Sequence, residues 1–327
     1  MSFSAPIGTD VAKAAVLLRE GKLVAIPTET VYGLAGNALN EAAVAQIFLV
    51  KGRPHFDPLI VHIPDIDAVE RYACSFPAEA RRLAERFWPG PLTLVLPKRD
   101  IIPDLVSAGG PTVAMRVPNH PLTLELLRVS GLPLAAPSAN PFGYISPTRP
   151  EHVAAQLGDR IAYILDGGPC KIGLESTVVS FAGNRPEILR LGGLDPEQIR
   201  EVIPVIGLSL RQSANPMAPG QLDKHYAPRT KLVLAADIRQ YLLHHQLPEN
   251  TALLLFHHRV PDWPAEHQYV LSTSGTTAEA AQYLFATMRQ LDTLGYDLII
   301  AEEAPETGLG PAINDRLQRA SHQDSST

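Results

Sequence analysis

The chain has 327 residues, 45% hydrophobic and 19% charged, which is too long for one ordinary core, predicts two domains and describes a soluble globular protein. Its formal net charge is −6, and a division near residue 205 leaves 19 Lys and Arg against 21 Asp and Glu before it and 9 against 13 after, so neither half carries the positive excess that holds nucleic acid. Cys74 and Cys170 stand far apart without C-x-x-C spacing, no basic and apolar leader opens the chain, and no apolar run reaches bilayer length; a disulfide framework, a zinc knuckle, secretion and membrane insertion are not expected, and the cytoplasm is.

Thr9 or Asp10 caps a first helix with Val11, Ala14, Ala15, Leu17 and Leu18 on one side, and Gly21 ends it. Leu23 to Ile26 reads as a short buried strand. Asn40 caps a helix from Glu41 to about Val50, with Val44, Ile47 and Phe48 toward the core. Leu59 to Ile63 is a strand, helices follow near Ile66 to Ala73 and Ala78 to Phe87, and W-P-G-P at Trp88 to Pro91 is a turn. Strands at Leu92 to Leu96 and Val113 to Met115 come next. Helices at Pro121 to Val129 and Glu151 to Leu157 enclose a strand and loop reading P-L-A-A-P-S-A-N-P-F-G-Y-I-S-P-T. Further strands are expected at Ala162 to Leu165, Thr177 to Phe181 and Ile188 to Arg190. Strands and helices in this irregular order predict a twisted α/β domain with a mixed sheet over residues 1–206.

Over 207–230 Ser, Asn, Pro, Gly and Gln dominate and no apolar period survives, so this is a linker. It ends in H-Y-A-P at His225 to Pro228, which a passive spacer would not need. Beyond it, strands at Lys231 to Leu234, Ala252 to Phe256, Tyr269 to Leu271 and Leu298 to Ala301 alternate with helices at Asp237 to Leu243, Thr277 to Leu291 and Pro311 to Ala320. That pattern predicts a smaller, Rossmann-like three-layer α/β domain with a parallel sheet over 231–327. The tail from Ser321 is polar.

The stretch Pro27 to His62 joins a hydroxyl-rich turn, P-T-E-T, to K-G-R-P through one short helix, an arrangement that grips a small anion from two sides. Arg offers a planar fork of donors and Lys a mobile point charge; equally, Lys51 and Arg53 would complement the negative end of the preceding helix. No P-loop, no G-x-G-x-x-G after a strand, no H-E-x-x-H and no nucleophile elbow is present. G-L-G before the last helix reads as a turn. What remains is a polar set spread over several loops: Thr28, Thr30, Lys51, Arg53, His62, Arg116, Ser138, Asn140, Ser146, Ser176 and Arg190. Each has a structural reading by itself: Thr30 as a turn cap, His62 as a strand-edge residue, Arg116 as one half of an ion pair, Ser138 and Asn140 as turn formers before Pro141. Together, three arginines and a lysine in apolar, Pro-punctuated surroundings predict a bound anion, since unpaired buried cations are costly.

At these residues the chain resembles the L-threonylcarbamoyladenylate synthases, the YrdC-like family in its long form. The matching segments are P-T-E-T-V-Y-G-L-A (Pro27 to Ala35), K-G-R-P (Lys51 to Pro54), P-L-I-V-H (Pro58 to His62), W-P-G-P-L-T (Trp88 to Thr93), R-V-P (Arg116 to Pro118), P-S-A-N (Pro137 to Asn140) and E-S-T-V-V (Glu175 to Val179). R-L-G at Arg190, P-G-Q-L-D-K-H-Y-A-P ending at Pro228 and G-L-G-P-A-I-N-D-R-L ending at Leu317 complete the set.

The resemblance implies condensation of L-threonine, bicarbonate and ATP, with Mg²⁺, into threonylcarbamoyl-AMP and pyrophosphate. A separate tRNA-modifying complex would use the product to make N6-threonylcarbamoyladenosine, and direct tRNA binding is not expected. By motif position, Thr30, His62, Arg116 and Ser176 resemble threonine ligands. Lys51, Arg53, Asp57, Thr112, the backbone near Ala136, Ser138, Asn140, Ser146 and Arg190 resemble nucleotide ligands, with Lys51 and Arg53 catalytic. Tyr226 is similar to a linker tyrosine that folds over the nucleotide. Asp57 departs from the family pattern, which more often has Asn or His there; it suits an ion pair with Arg53 or a metal better than a direct ATP contact. A structured-RNA binding module and a carbamoyl transferase are the alternative readings.

Overall fold

A computed structural model describes residues 4–210 and 225–322. The chain divides into two compact units: Met1–Phe142, Ser146–Lys171 and Glu175–Leu222 form the first, while Gly143–Ile145, Ile172–Leu174 and Asp223–Thr327 form the second. Residues 211–224 of the expected linker lie outside the described residues.

In chain order the first unit runs β1 (Ile7–Gly8), α1 (Val11–Arg19), β2 (Val24–Ile26), β3 (Gly33–Asn37), α2 (Glu41–Lys51), β4 (Ile60–His62), α3 (Val69–Tyr72), α4 (Ala78–Phe87), β5 (Leu92–Pro97) and β6 (Thr112–Arg116). It continues with α5 (Pro121–Ser130), β7 (Leu134–Ala135), α6 (Pro150–Leu157), β8 (Tyr163–Leu165), β9 (Thr177–Ser180), β10 (Glu187–Arg190), α7 (Pro196–Val202) and β11 (Gly207–Leu208). The strands make one mixed sheet in the order β1-β8-β2-β3-β7-β4-β6-β5-β9-β10-β11. Asp10 caps α1 by accepting from Lys13 N, and Asn40 caps α2 by accepting from Ala42 N and Ala43 N. At one end of the sheet Val11, Ala14 and Leu18 of α1 bury against Leu126 and Leu127 of α5 and against Val24 and Ile26 of β2.

Several elements escape sequence reading. β3 reads G-L-A-G-N, with neither alternation nor a β-branched residue, so its sequence resembles a loop. Its small residues serve packing: a Cβ at Gly36 would lie 3.0 Å from Leu23 Cδ2 and 3.2 Å from Ile47 Cδ1, so α2 lies close against the strand. The two-residue β1 and β11 are held by pairing with β8 and β10, which no local pattern announces, and β11 occupies the head of the expected linker. α7 carries its own signal, an Asp195 cap before Pro196, and is simply short.

The second unit contains β12 (Lys231–Ala235), α8 (Ile238–His244), β13 (Thr251–Leu255), β14 (Gln268–Val270), α9 (Thr277–Thr293), β15 (Leu298–Glu302) and α10 (Gly310–Ser321). Its sheet, ordered β12-β15-β13-β14, is parallel throughout, as the alternating pattern leads one to expect. Gly308 adopts φ 57° and leads into α10, so G-L-G is a turn. Among the described residues no helix is long and apolar enough to cross a membrane.

Candidate functional site

The sheet of the first unit sets part of the polar set side by side. In the parallel pair β4/β6 His62 stands opposite Arg116; in the parallel pair β5/β9 Thr93 stands opposite Val178; and Val178 faces Arg190 across the antiparallel pair β9/β10. Because directly opposed residues point to the same face, neighbouring strands in the order β4-β6-β5-β9-β10 deliver His62, Arg116, Thr93 and Arg190 to one surface. Ser176, two residues before Val178, joins them there. Its hydroxyl lies 2.7 Å from Thr93 Oγ1 and accepts from Arg190 Nη2 at 3.1 Å, while its carbonyl accepts from Arg190 Nε and Nη2 at 3.1 and 2.9 Å. Gly192 permits this approach, since a Cβ there would fall 2.3 Å from Glu175 O.

Arg116 reaches from the sheet to the turn between β2 and β3. Its Nη1 donates to Thr30 Oγ1 at 2.9 Å, its Nε donates to Gly90 O at 3.1 Å, and its Nη2 lies 2.7 Å from Glu29 Oε2. The last contact is an ion pair without the alignment of a hydrogen bond. Thr28 Oγ1 shapes the turn by lying 2.7 Å from Thr30 Oγ1 and donating to Val31 O.

Lys51 ends α2, and Gly52 turns the chain with φ 62°. The lysine does not complement its own helix end: Nζ donates to Ser138 O and Asn140 O, each at 2.6 Å, and Phe142 N donates to Lys51 O. Arg53 donates from Nε to Asp57 O at 3.1 Å and from Nη2 to Pro58 O at 2.9 Å, and pairs with Asp57 Oδ2 at 2.8 Å. Burial and then the charge of Arg53 pull the Lys51 pKa well below its ordinary value, against the attraction of Asp57. Burial pushes Asp57 up, against Arg53, Lys51 and Arg190. One carboxylate thus lies among three cations, a cluster suited to a polyanion.

Around it, Ser146 donates to Glu175 Oε1 at 2.6 Å, and Asn140 Nδ2 donates to Pro141 O. Ala136 N–H is taken by Ile60 O, so that amide belongs to the sheet. Thr112 opens β6 at the edge of a cavity of about 480 Å³ that is also lined by Phe56, Pro58, Leu59 and Ala182. Tyr226 belongs to the second unit, where it is buried with φ 64°, its ring stacked on Phe285 at 5.4 Å and covered by the Arg316 guanidinium at 5.2 Å.

Sequence reading passed over Glu29, Thr93 and Glu175, each a neighbour within a motif it had singled out. A carboxylate in a loop read as anion-binding gives no reason to select it until its partner is visible.

His62 is buried, and burial followed by the charge of Arg116 lowers its pKa to about 3. The native state therefore does not take the proton that the unfolded chain takes below about pH 6.5. Stability associated with His62 is complete above that pH and falls as pH drops toward 3, by up to about 1.4 kcal/mol per pH unit. Urea unfolding of the parent and of His62→Asn between pH 7 and 4 is expected to show a shallower acid decline in the variant.

Residues 16–192 match the family model described as "Telomere recombination" (Sua5, YciO, YrdC), and residues 194–322 match "Threonylcarbamoyl-AMP synthase, C-terminal domain". The chain belongs to the threonylcarbamoyl-AMP synthase family. Among its relatives, the threonylcarbamoyl-AMP synthase of Bacillus subtilis is 45% identical over 95% of this chain and 92% of its own. That of Pyrococcus abyssi is 43% identical over 94% and 93%. The crystal structure of P. abyssi Sua5 complexed with L-threonine matches with a TM-score of 0.88 at 40% identity, covering 97% of each chain. Within this threonylcarbamoyl-AMP synthase fold the site divides into an Arg116 half and a Lys51–Arg53 half, and Ser176 hydrogen-bonds to Thr93 and Arg190.

Proposed function

We propose that the protein condenses L-threonine, bicarbonate and ATP into threonylcarbamoyl-AMP and pyrophosphate in the cytoplasm. A separate complex would use this product to modify tRNA. The observation that carries this reading is the placement of His62, Arg116, Thr93 and Arg190 on one face of the sheet, with Ser176 hydrogen-bonded to Thr93 and Arg190, in a chain whose threonine-bound relative has the same fold. Arg116, Thr30, His62 and Ser176 hold the amino acid, with Arg116 the partner of its carboxylate. Lys51, Arg53 and Arg190 hold the phosphates, and Thr112, Ser138, Asn140 and Ser146 border the nucleoside.

The chemistry needs no protein nucleophile. The amino nitrogen of threonine takes up the carbon of bicarbonate with loss of water, and an oxygen of the resulting carbamate attacks the α-phosphorus as pyrophosphate leaves. The chain supplies proximity and fixed positive charge, and burial keeps water from a carbamate that readily loses CO₂. Among the described residues no group of three or more His, Cys, Asp or Glu forms a metal cage, and Asp57 already pairs with Arg53. Mg²⁺ therefore fits as an ion carried in on the phosphate oxygens, where it would share their charge.

The expected result is exchange of labelled pyrophosphate into ATP that requires both threonine and bicarbonate. Formation of AMP or pyrophosphate at the same rate without threonine would sink the proposal.

A further inference from the structure

Glu29 is the member of P-T-E-T whose side chain has no hydrogen-bond partner. Its carboxylate is buried, 4% exposed, and neither oxygen accepts a hydrogen bond, although Oε2 lies 2.7 Å from Arg116 Nη2. The other oxygens of this turn are engaged, Thr28 with Thr30 and Val31, and Thr30 with Arg116. A buried carboxylate left with charge attraction alone is costly, and an α-amino acid would remove that cost.

We propose that Glu29 receives the α-ammonium of threonine and is the residue by which the site distinguishes an amino acid from a hydroxy acid. This rests on the threonine reading above. An amino acid enters as a zwitterion, with opposite charges on one carbon. Glu29 and Arg116 present the complementary charges as near neighbours, the guanidinium toward the carboxylate and the carboxylate toward the ammonium. Beside the pair, burial and then Glu29 push the Cys170 thiol up, and burial lowers the His120 and His62 pKa values. Burial does not separate Glu29 from the residues that hold threonine: Thr30, His62, Arg116 and Ser176 are 1–3% exposed. Arg116 retains donor capacity, since a guanidinium has five N–H groups and these contacts engage one on each nitrogen, leaving a second on Nη1 and on Nη2.

The test uses the full chain and two ligands, threonine and 3-hydroxybutanoate, which is threonine with hydrogen in place of the amino group. Affinities are measured by calorimetry with ATP present. The parent is expected to prefer threonine by more than about 30-fold, because a site built for a charged group rejects the analogue lacking it. Glu29→Gln is expected to reduce the preference below about threefold, chiefly by weakening threonine. Glu29→Asp, which keeps the charge but withdraws it by one methylene, is expected to lose more affinity for threonine than for 3-hydroxybutanoate, and it serves if the glutamine variant does not fold. Equal loss of both ligands in either variant overturns the proposal, because Glu29 would then act only by placing Arg116. Similar binding of the two ligands by the parent also overturns it. The wider reading stands in both cases provided that pyrophosphate exchange still requires threonine; if the parent binds no threonine at all, both fall.

Discussion

Lys51→Met is expected to lower kcat/KM for threonine-dependent pyrophosphate exchange by about 100- to 1,000-fold, the range seen when one fixed donor to a developing oxyanion is removed. The effect is expected mainly in kcat, because Nζ is already oriented by Ser138 O and Asn140 O before any substrate arrives. The fold is expected to survive. Burial and Arg53 both oppose a charge on Lys51, so methionine relieves a desolvation cost that offsets the two lost hydrogen bonds. Thermal unfolding within a few degrees of the parent, together with the kinetic loss, would separate chemistry from folding. Arginine should not rescue activity, since a planar fork cannot occupy the site of a point charge held between two carbonyls. Exchange within about tenfold of the parent would remove Lys51 from the reaction's charge stabilisation.

The two kinds of information in the sequence reached different distances. Caps and apolar periods placed α1 and α2 because Asp10, Asn40 and the buried faces are local features. The parallel sheet of the second unit was legible for the same reason, its strands being continuous apolar runs. What could not be read was adjacency across strands. His62, Arg116, Thr93 and Arg190 span 62–190 in sequence, and only the order β4-β6-β5-β9-β10 sets them in one row. The choice between Lys51 as a helix-end cation and Lys51 as part of a site also needed the fold, because Ser138 and Asn140 come from a loop more than eighty residues away. Glu29 was hidden by its chemistry: a carboxylate in a loop expected to bind anions has no visible purpose until Arg116 lies beside it.

Asp57 poses the same problem in the phosphate half, and there the answer is a balance of charge against charge. Its side chain is fully buried, neither oxygen accepts a hydrogen bond, and Oδ2 lies 2.8 Å from Arg53 Nη2. Removing it by Asp57→Ala takes the carboxylate away from the buried Arg53 guanidinium, which also donates to the carbonyls of Asp57 and Pro58, and is expected to cost about 3–5 kcal/mol in urea unfolding. Asp57→Asn keeps the volume and an acceptor oxygen but removes the charge, so the expected cost is smaller, about 1–2 kcal/mol. The functional sign is opposite to the stability sign. With the carboxylate neutralised, Lys51, Arg53 and Arg190 have one negative charge fewer among them, so the asparagine variant should bind pyrophosphate about tenfold more tightly and release it more slowly. The expected pattern is a lower KM for ATP, stronger inhibition by pyrophosphate and a lower melting temperature in the same protein. An alanine variant as stable as the parent would show that Asp57 does not carry the Arg53 charge. An asparagine variant with unchanged pyrophosphate inhibition would show that the carboxylate does not compete with the phosphates. The carboxylate is thus expected to weaken product binding as well as to stabilise Arg53, because an uncompensated group of three cations would hold its product too tightly to turn over.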